Sequence, residues 1–168
     1  MSKAGAAALA ALVVMLAGAC AAPTPDAPAP IADGPGADVS QPPDVSMLLD
    51  PERGDPPVEL VLADVVEGEG APAAPGDGLV VHYVGLRWSD GGRFDASWDR
   101  GTPFALELGA GSVIPGWEQG LEGMREGGRR VLTIPPDLAY GDRGAGDVIG
   151  PGETLVFVVD LIAREPAP

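Results

Sequence analysis

The chain has 168 residues, 45% of them hydrophobic, with 25 acidic against 10 basic residues and a formal net charge of −15 at pH 7. That length fits one ordinary domain plus a tail, and the acidic balance excludes nucleic acid as a partner, since phosphate binding needs a basic footprint. One His and one Cys cannot assemble a Ser-His-Asp set or a metal-ligand cluster, so neither a metal nor another cofactor is expected.

The amino terminus reads as a targeting segment over 1–19. Lys3 supplies a minimal positive region, and residues 4–16 form an apolar run, short of the about 20 residues a comfortable membrane span needs. Ala17-Gly18-Ala19 and then Cys20 follow. Two readings are open. Ala17-x-Ala19 fits an ordinary signal-peptidase site, which would release a secreted or periplasmic protein. Leu16-Ala17-Gly18-Ala19-Cys20 resembles a bacterial lipobox, which would leave a lipid on Cys20 and an extracytoplasmic domain anchored at the cell envelope. A lone Cys has no internal disulfide partner, and its position before a flexible spacer favours lipid attachment.

Residues 20–56 read as a disordered Pro/Ala-rich tether. Ten of the thirty-seven residues from 21 to 57 are proline, none is aromatic and few are large aliphatics. Such composition cannot bury enough apolar surface to offset the entropy of ordering.

The folded domain is expected over 57–164, with 18 acidic and 8 basic residues from Val58 onward. Residues 58–66 alternate weakly as a first strand, closed by a turn-rich stretch to Gly78. Residues 79–86 are a stronger strand, with Val81, Tyr83 and Gly85 on one face and Val80, His82 and Val84 on the other. His82 therefore points away from Tyr83 and is read as structural.

Asp90-Gly91-Gly92 is a hairpin signal leading to a strand over 93–97. Phe104, Leu106 and Leu108 alternate as a half-buried strand. Residues 115–124 are the one convincing helix, with Pro near its first turn. A strand over 129–134 ends at Pro135-Pro136, because proline cannot continue a ladder. A Gly-rich loop over 140–152 precedes a long buried strand over 154–163. The fold class is α+β. Gly109-Ala110-Gly111 lacks the helix and spacing of a phosphate or dinucleotide site.

Three runs carry the chemistry: Arg93-Phe94-Asp95, Val113-Ile114-Pro115-Gly116-Trp117 and Leu138-Ala139-Tyr140-Gly141. All eight aromatic residues lie between Tyr83 and Phe157. Aromatic walls with a few placed polar groups suit a small-ligand site. Arg100, five residues after Asp95, is placed to keep that carboxylate ionised, and Tyr83 could donate to it.

On these runs the chain resembles the FKBP-type peptidyl-prolyl cis-trans isomerases, a family that also binds macrolides. The resemblance implies a curved, mainly antiparallel five- or six-stranded sheet wrapped around one short helix. It implies a proline pocket floored by Trp117 and shaped by Tyr83, Asp95, Tyr140 and Phe157, with Phe94, Phe104, Val113, Ile114, Val148 and Ile149 as further walls. It also implies that the Ile114 N–H and the Tyr140 hydroxyl hold substrate carbonyls. Gly150, where the family commonly has proline, departs from the pattern and predicts a looser loop over the pocket, and the 87–92 turn carries one residue more than the pattern.

The function expected is peptidyl-prolyl isomerisation without covalent intermediate or cofactor, assisting exported proteins at the envelope. The expected partners are proline-containing unfolded or exported polypeptides, macrolides, and the membrane through Cys20. The alternative is a non-catalytic binding or chaperone module of the same build.

Overall fold

The computed structural model describes residues 39–49 and 54–168. Its strands are β1 (Val61–Val66), β2 (Glu69–Pro72), β3 (Gly78–Arg87), β4 (Arg93–Ala96), β5 (Phe104–Glu107), β6 (Arg125–Glu126), β7 (Arg129–Ile134) and β8 (Leu155–Glu165). Two helices join them, α1 (Ser97–Arg100) and α2 (Pro115–Leu121). Six strands form one antiparallel sheet in the order β1-β7-β8-β3, where β4 and β5 share the free edge of β3. Gly78 to Val81 pair with β5 and Val84 to Leu86 with β4, so one long strand supports two short ones end to end. This is the expected α+β architecture, a curved sheet with one main helix.

Alternation along β3 separates two apolar clusters. Leu79, Val81 and Tyr83 face the same side as Trp117 and Leu121 of α2, joined by Leu132, Ile134, Leu155, Phe157, Val159 and Leu161. Val84 and Leu86 face the outer side with Ala96, Val131, Val156 and Val158. The helix sits close to the sheet because Gly116 and Gly120, four residues apart and on one face, present no side chain to β7. A Cβ at Gly116 would collide with Ile134, and one at Gly120 with Leu132.

The helix ends at Leu121 rather than running to Met124. Glu122 leaves helical geometry, Gly123 turns at φ +78°, and the chain is drawn into bonds with Ala73 in both directions: Gly123 N–H to the Ala73 carbonyl at 2.8 Å and Ala73 N–H to the Met124 carbonyl at 2.8 Å. The first strand begins at Val61, with Val58 fully in solvent. β2, which lies in the stretch read as turn, pairs with β6 through only two registers, Glu69 with Glu126 and Pro72 with Arg125.

Part of the stretch read as a disordered tether takes a defined course. Residues 46–49 form a 3-10 turn, and the Asp44 carboxylate accepts from the Ser46 N–H at 2.9 Å. Val45 and Leu48 pack on the outer cluster. The Gln41 carbonyl accepts from Arg129 at 2.8 Å, while Arg129 forms a buried ion pair with Asp160 at 2.5 Å. Proline and alanine content hid this because two aliphatic side chains suffice to dock a short segment on an existing apolar face. Cys20 and the segment 1–19 lie outside the described residues. Among the described residues no helix is long and apolar enough to cross a membrane.

Candidate active site

Trp117 is the hub of an aromatic cluster on the helix side of the sheet. Its ring meets Tyr83 and Phe157 at centroid distances of 5.2 Å, with interplanar angles of 87° and 90°, and Phe104 at 6.1 Å. Phe94 meets Phe157 edge to face at 5.6 Å. These perpendicular contacts place positive ring edges against negative ring faces, the favourable arrangement for aromatic pairs. Gly85 leaves room for the Phe94 and Phe157 rings, since a Cβ there would stand 2.7 and 2.9 Å from them.

Several of the remaining expected walls pack on this hub, while Tyr140 and Val148 make no described contact with it. Val113, Ile114 and Phe94 are half-buried against the same cluster, Ile149 is buried in it, and Leu138, Ala139 and Ala145 pack beside them. Phe104, Tyr140 and Val148 are exposed apolar or aromatic side chains. The Ile114 carbonyl caps α2, accepting from the Trp117 N–H at 2.9 Å and the Glu118 N–H at 3.3 Å.

A polar triad stands beside the Tyr83 end of the cluster. Tyr83, 8% exposed, donates its hydroxyl hydrogen to Asp95 through a very short bond and accepts from Arg100 Nη2 at 2.9 Å. Arg100 Nη1 meets the second carboxylate oxygen at 2.5 Å, and the guanidinium lies 5.6 Å from the Tyr83 ring centre. Burial alone would push the Asp95 carboxyl up. The bonds from Tyr83 and Arg100, together with the Arg100 charge, outweigh it and hold the group below its ordinary value. Burial and the bond to Asp95 push the Tyr83 phenol above its ordinary value. The triad thus stays in one charge state, a phenol and an ion pair.

Sequence spacing alone did not show two features that position the site. Glu118, next to Trp117, accepts from the Gly109 N–H at 2.5 Å and the Gly111 N–H at 2.9 Å, fixing the loop that delivers Val113 and Ile114. Ser97, fully buried, accepts from the Tyr83 backbone N–H at 2.8 Å. Its hydroxyl also contacts His82 Nδ1 at 2.9 Å, and the His82 ring stacks on Trp98 at 3.9 Å. His82 is therefore occupied away from the aromatic cluster, and Trp88 and Trp98 pack on the outer face. Among the described residues no group of three His, Cys, Asp or Glu side chains could hold a metal ion.

Residues 69–162 match the family model described as FKBP-type peptidyl-prolyl cis-trans isomerase. An FK506-binding protein of Streptomyces anulatus is 59% identical over 111 residues, 66% of this chain and 90% of that protein. A probable FK506-binding protein of Corynebacterium glutamicum is 49% identical over 110 residues, 66% of this chain and 91% of that protein. Among solved structures, FkpA from Escherichia coli superposes with a TM-score of 0.59 at 44% identity, over 65% of this chain and about half (49%) of that one. AtFKBP13 superposes with a TM-score of 0.58 at 41% identity, over 62% and 92%. With the sheet, the helix and more than half of the chain accounted for in this way, the protein belongs to the FKBP-type peptidyl-prolyl cis-trans isomerase family.

Proposed function

We propose that this protein catalyses cis-trans isomerisation of X–Pro bonds in exported polypeptides outside the cytoplasm, with the proline ring seated over Trp117. The observation that carries the site is the aromatic hub beside an ionised but fully partnered Asp95. Rotation about the bond is slow because it breaks amide resonance, with an activation energy of ~20 kcal/mol. No proton or covalent bond need be exchanged. A dry aromatic wall disfavours the polar planar amide and favours the twisted one, and only such differential binding accelerates the reaction. A 10⁵-fold gain requires roughly 7 kcal/mol of that preference.

In this reading Phe94, Phe104, Phe157, Val113 and Ile149 wall the ring. The Ile114 N–H and the Tyr140 hydroxyl hold the flanking carbonyls. Tyr83, Asp95 and Arg100 keep one pocket edge rigid and polar without a titrating group. The relatives named for FK506 binding support macrolide affinity in the same pocket. A protease-coupled isomerisation assay on a Leu-Pro tetrapeptide anilide tests the reading. Folded Asp95→Val and Trp117→Phe proteins that both keep wild-type turnover would overturn the site, and a folded wild-type protein without turnover would leave a binding module.

The location rests on the apolar run over 4–16 and on Cys20, with a lipid on Cys20 holding the domain at the bacterial envelope. Two acyl chains give stable anchoring where one is marginal. Cys20→Ala should move the protein from the membrane fraction to the soluble fraction at unchanged turnover. Metabolic labelling with a palmitate analogue should mark the wild type alone. Unlabelled, freely soluble wild-type protein would favour the cleaved, secreted form.

A further inference from the structure

Resting on the pocket assignment above, we propose that the 87–92 turn is a clamp on the loop over the pocket, with Arg87 as its positioning residue and Ser89 as its second point of attachment. The clamp sets how tightly a prolyl ligand binds, and the rate at which bound ligand isomerises is not its task.

The loop closes on itself at two levels. At its base the Gly152 N–H donates to the Gly141 carbonyl at 3.0 Å. At its tip Ala145 and Ile149 exchange both backbone bonds, at 2.9 and 3.1 Å. The tip delivers Ile149, which is buried in the aromatic-side core, next to Val148, which is 53% exposed. Within the hairpin, only the apolar packing of Ile149 and Ala145 on the core ties it to the sheet side.

The 87–92 turn supplies the fixing. The Arg87 N–H bonds the Gly92 carbonyl at 2.9 Å and the Gly91 N–H bonds the Arg87 carbonyl at 3.0 Å, closing the turn. Asp90 accepts from the Gly92 N–H at 2.7 Å and takes the Arg87 fork through Nε at 3.0 Å and Nη2 at 2.9 Å. A planar guanidinium gripped on two nitrogens has a fixed direction for the third. That third nitrogen, Nη1, donates to the Val148 carbonyl at 3.0 Å, across 61 residues of sequence. A Cβ at Gly92 would overlap the Arg87 guanidinium in this position, so the glycine leaves room for the fork. The strand pairing of β3 with β4 slips between Gly85 and Leu86 to accommodate the turn.

A second tie holds the far end of the loop. The Ser89 N–H and hydroxyl both donate to the Glu153 carboxylate, at 3.0 and 2.8 Å, and the Trp88 N–H bonds the Thr154 carbonyl at 2.9 Å. Tip and root are thus both fastened to one turn. Gly150 predicts a looser loop, and the bonds from Arg87 and Ser89 tighten it. Apolar wall from Ile149 meets planar and twisted ligand alike, which is uniform binding and is felt in KM rather than kcat.

The test uses the full chain with Arg87→Leu, Arg87→Lys, Ser89→Ala and, in parallel, Trp117→Phe. KM and kcat are measured on the Leu-Pro tetrapeptide, and the exchange rate of the Ile149 amide is read by NMR. Arg87→Leu should raise KM about 3- to 10-fold, the order of one lost intramolecular hydrogen bond, with kcat within about twofold and faster Ile149 exchange. Arg87→Lys should fall between wild type and Arg87→Leu, because it keeps a donor but loses the fork.

The clamp is overturned if Arg87→Leu and Ser89→Ala leave KM unchanged, whatever exchange does, or if kcat falls at constant KM. Should Arg87→Leu fail to fold, Ser89→Ala carries the same comparison by deleting one exposed hydroxyl. A Trp117→Phe protein with wild-type kcat and KM would instead locate the failure in the pocket assignment.

Discussion

In the proposed reading, Asp95 sits at the pocket edge without taking part in proton transfer. Tyr83 and Arg100 satisfy it, and their bonds keep its pKa lowered while that of Tyr83 is raised. A depressed carboxyl contributes stability that is present above its unfolded pKa, near 3.9, and is lost as pH falls through the lower folded value. A raised phenol contributes stability that is present below about pH 10 and lost as pH rises through its higher folded value. Turnover should therefore be flat from about pH 5 to 9 and decline only outside that window. A bell-shaped profile inside the window, abolished by His82→Gln, would show a proton in flight and end the conformational mechanism. Trp117→Phe should lower kcat/KM with little loss of fold, because the indole Nε1 is buried without a partner and removing an orphaned donor relieves its desolvation cost. Asp95→Val strands Tyr83 and Arg100 and should cost about tenfold in kcat/KM, near the net worth of one hydrogen bond. The sequence displayed Asp95 and Arg100 because five residues separate them. Arg87 stayed invisible as a site residue because its partner lies 61 residues away on a loop, where no local spacing rule reaches.

At the level of elements, what was legible followed from periodicity. The two-residue alternation of β3 separates Tyr83 from His82, and the structure puts those rings on opposite faces, one on Trp117 and one on Trp98. Short pieces were illegible: β6 has two residues and α1 four, below the length at which any repeat can be seen. The closeness of α2 to β7 was also hidden, since glycine carries no pattern until its neighbour is known. Gly120→Val tests that closeness. Its Cβ would drive into Leu132, and overpacking of this kind costs about 1–3 kcal/mol. Gln119→Val, one residue away on the exposed side of the helix, should cost well under half as much. Thermal melts of the pair decide the point, and equal losses would mean that the helix can lift from the sheet without penalty. Because α2 carries Trp117, the Gly120→Val protein should also bind prolyl peptide more weakly in proportion to its loss of stability.

For the whole molecule, contacts with the sheet reach further toward the amino terminus than composition suggests. Residues 41–48 cross the outer face, opposite the aromatic cluster. There Val45 and Leu48 pack with Ala63, Val65, Trp88 and Trp98 on the outer cluster, and the Gln41 carbonyl meets Arg129 beside the buried Arg129–Asp160 pair. Two half-buried aliphatic side chains contribute about 1–2 kcal/mol together, against 1.5–3 for each when fully buried. For a domain of this size that corresponds to roughly 5 °C in Tm. A chain beginning at Gly54 should melt lower by that amount than one beginning at Gly36, while kcat/KM on a short soluble peptide stays the same, because the strap touches no wall of the pocket. The double substitution Val45→Ser with Leu48→Ser should reproduce the stability loss without shortening the chain, separating burial from chain length. Equal melting of all these proteins would mean the segment adds nothing to the fold. A fall in turnover at unchanged Tm would mean that the outer face communicates with the pocket through β3, the strand whose two sides carry Tyr83 and Val84.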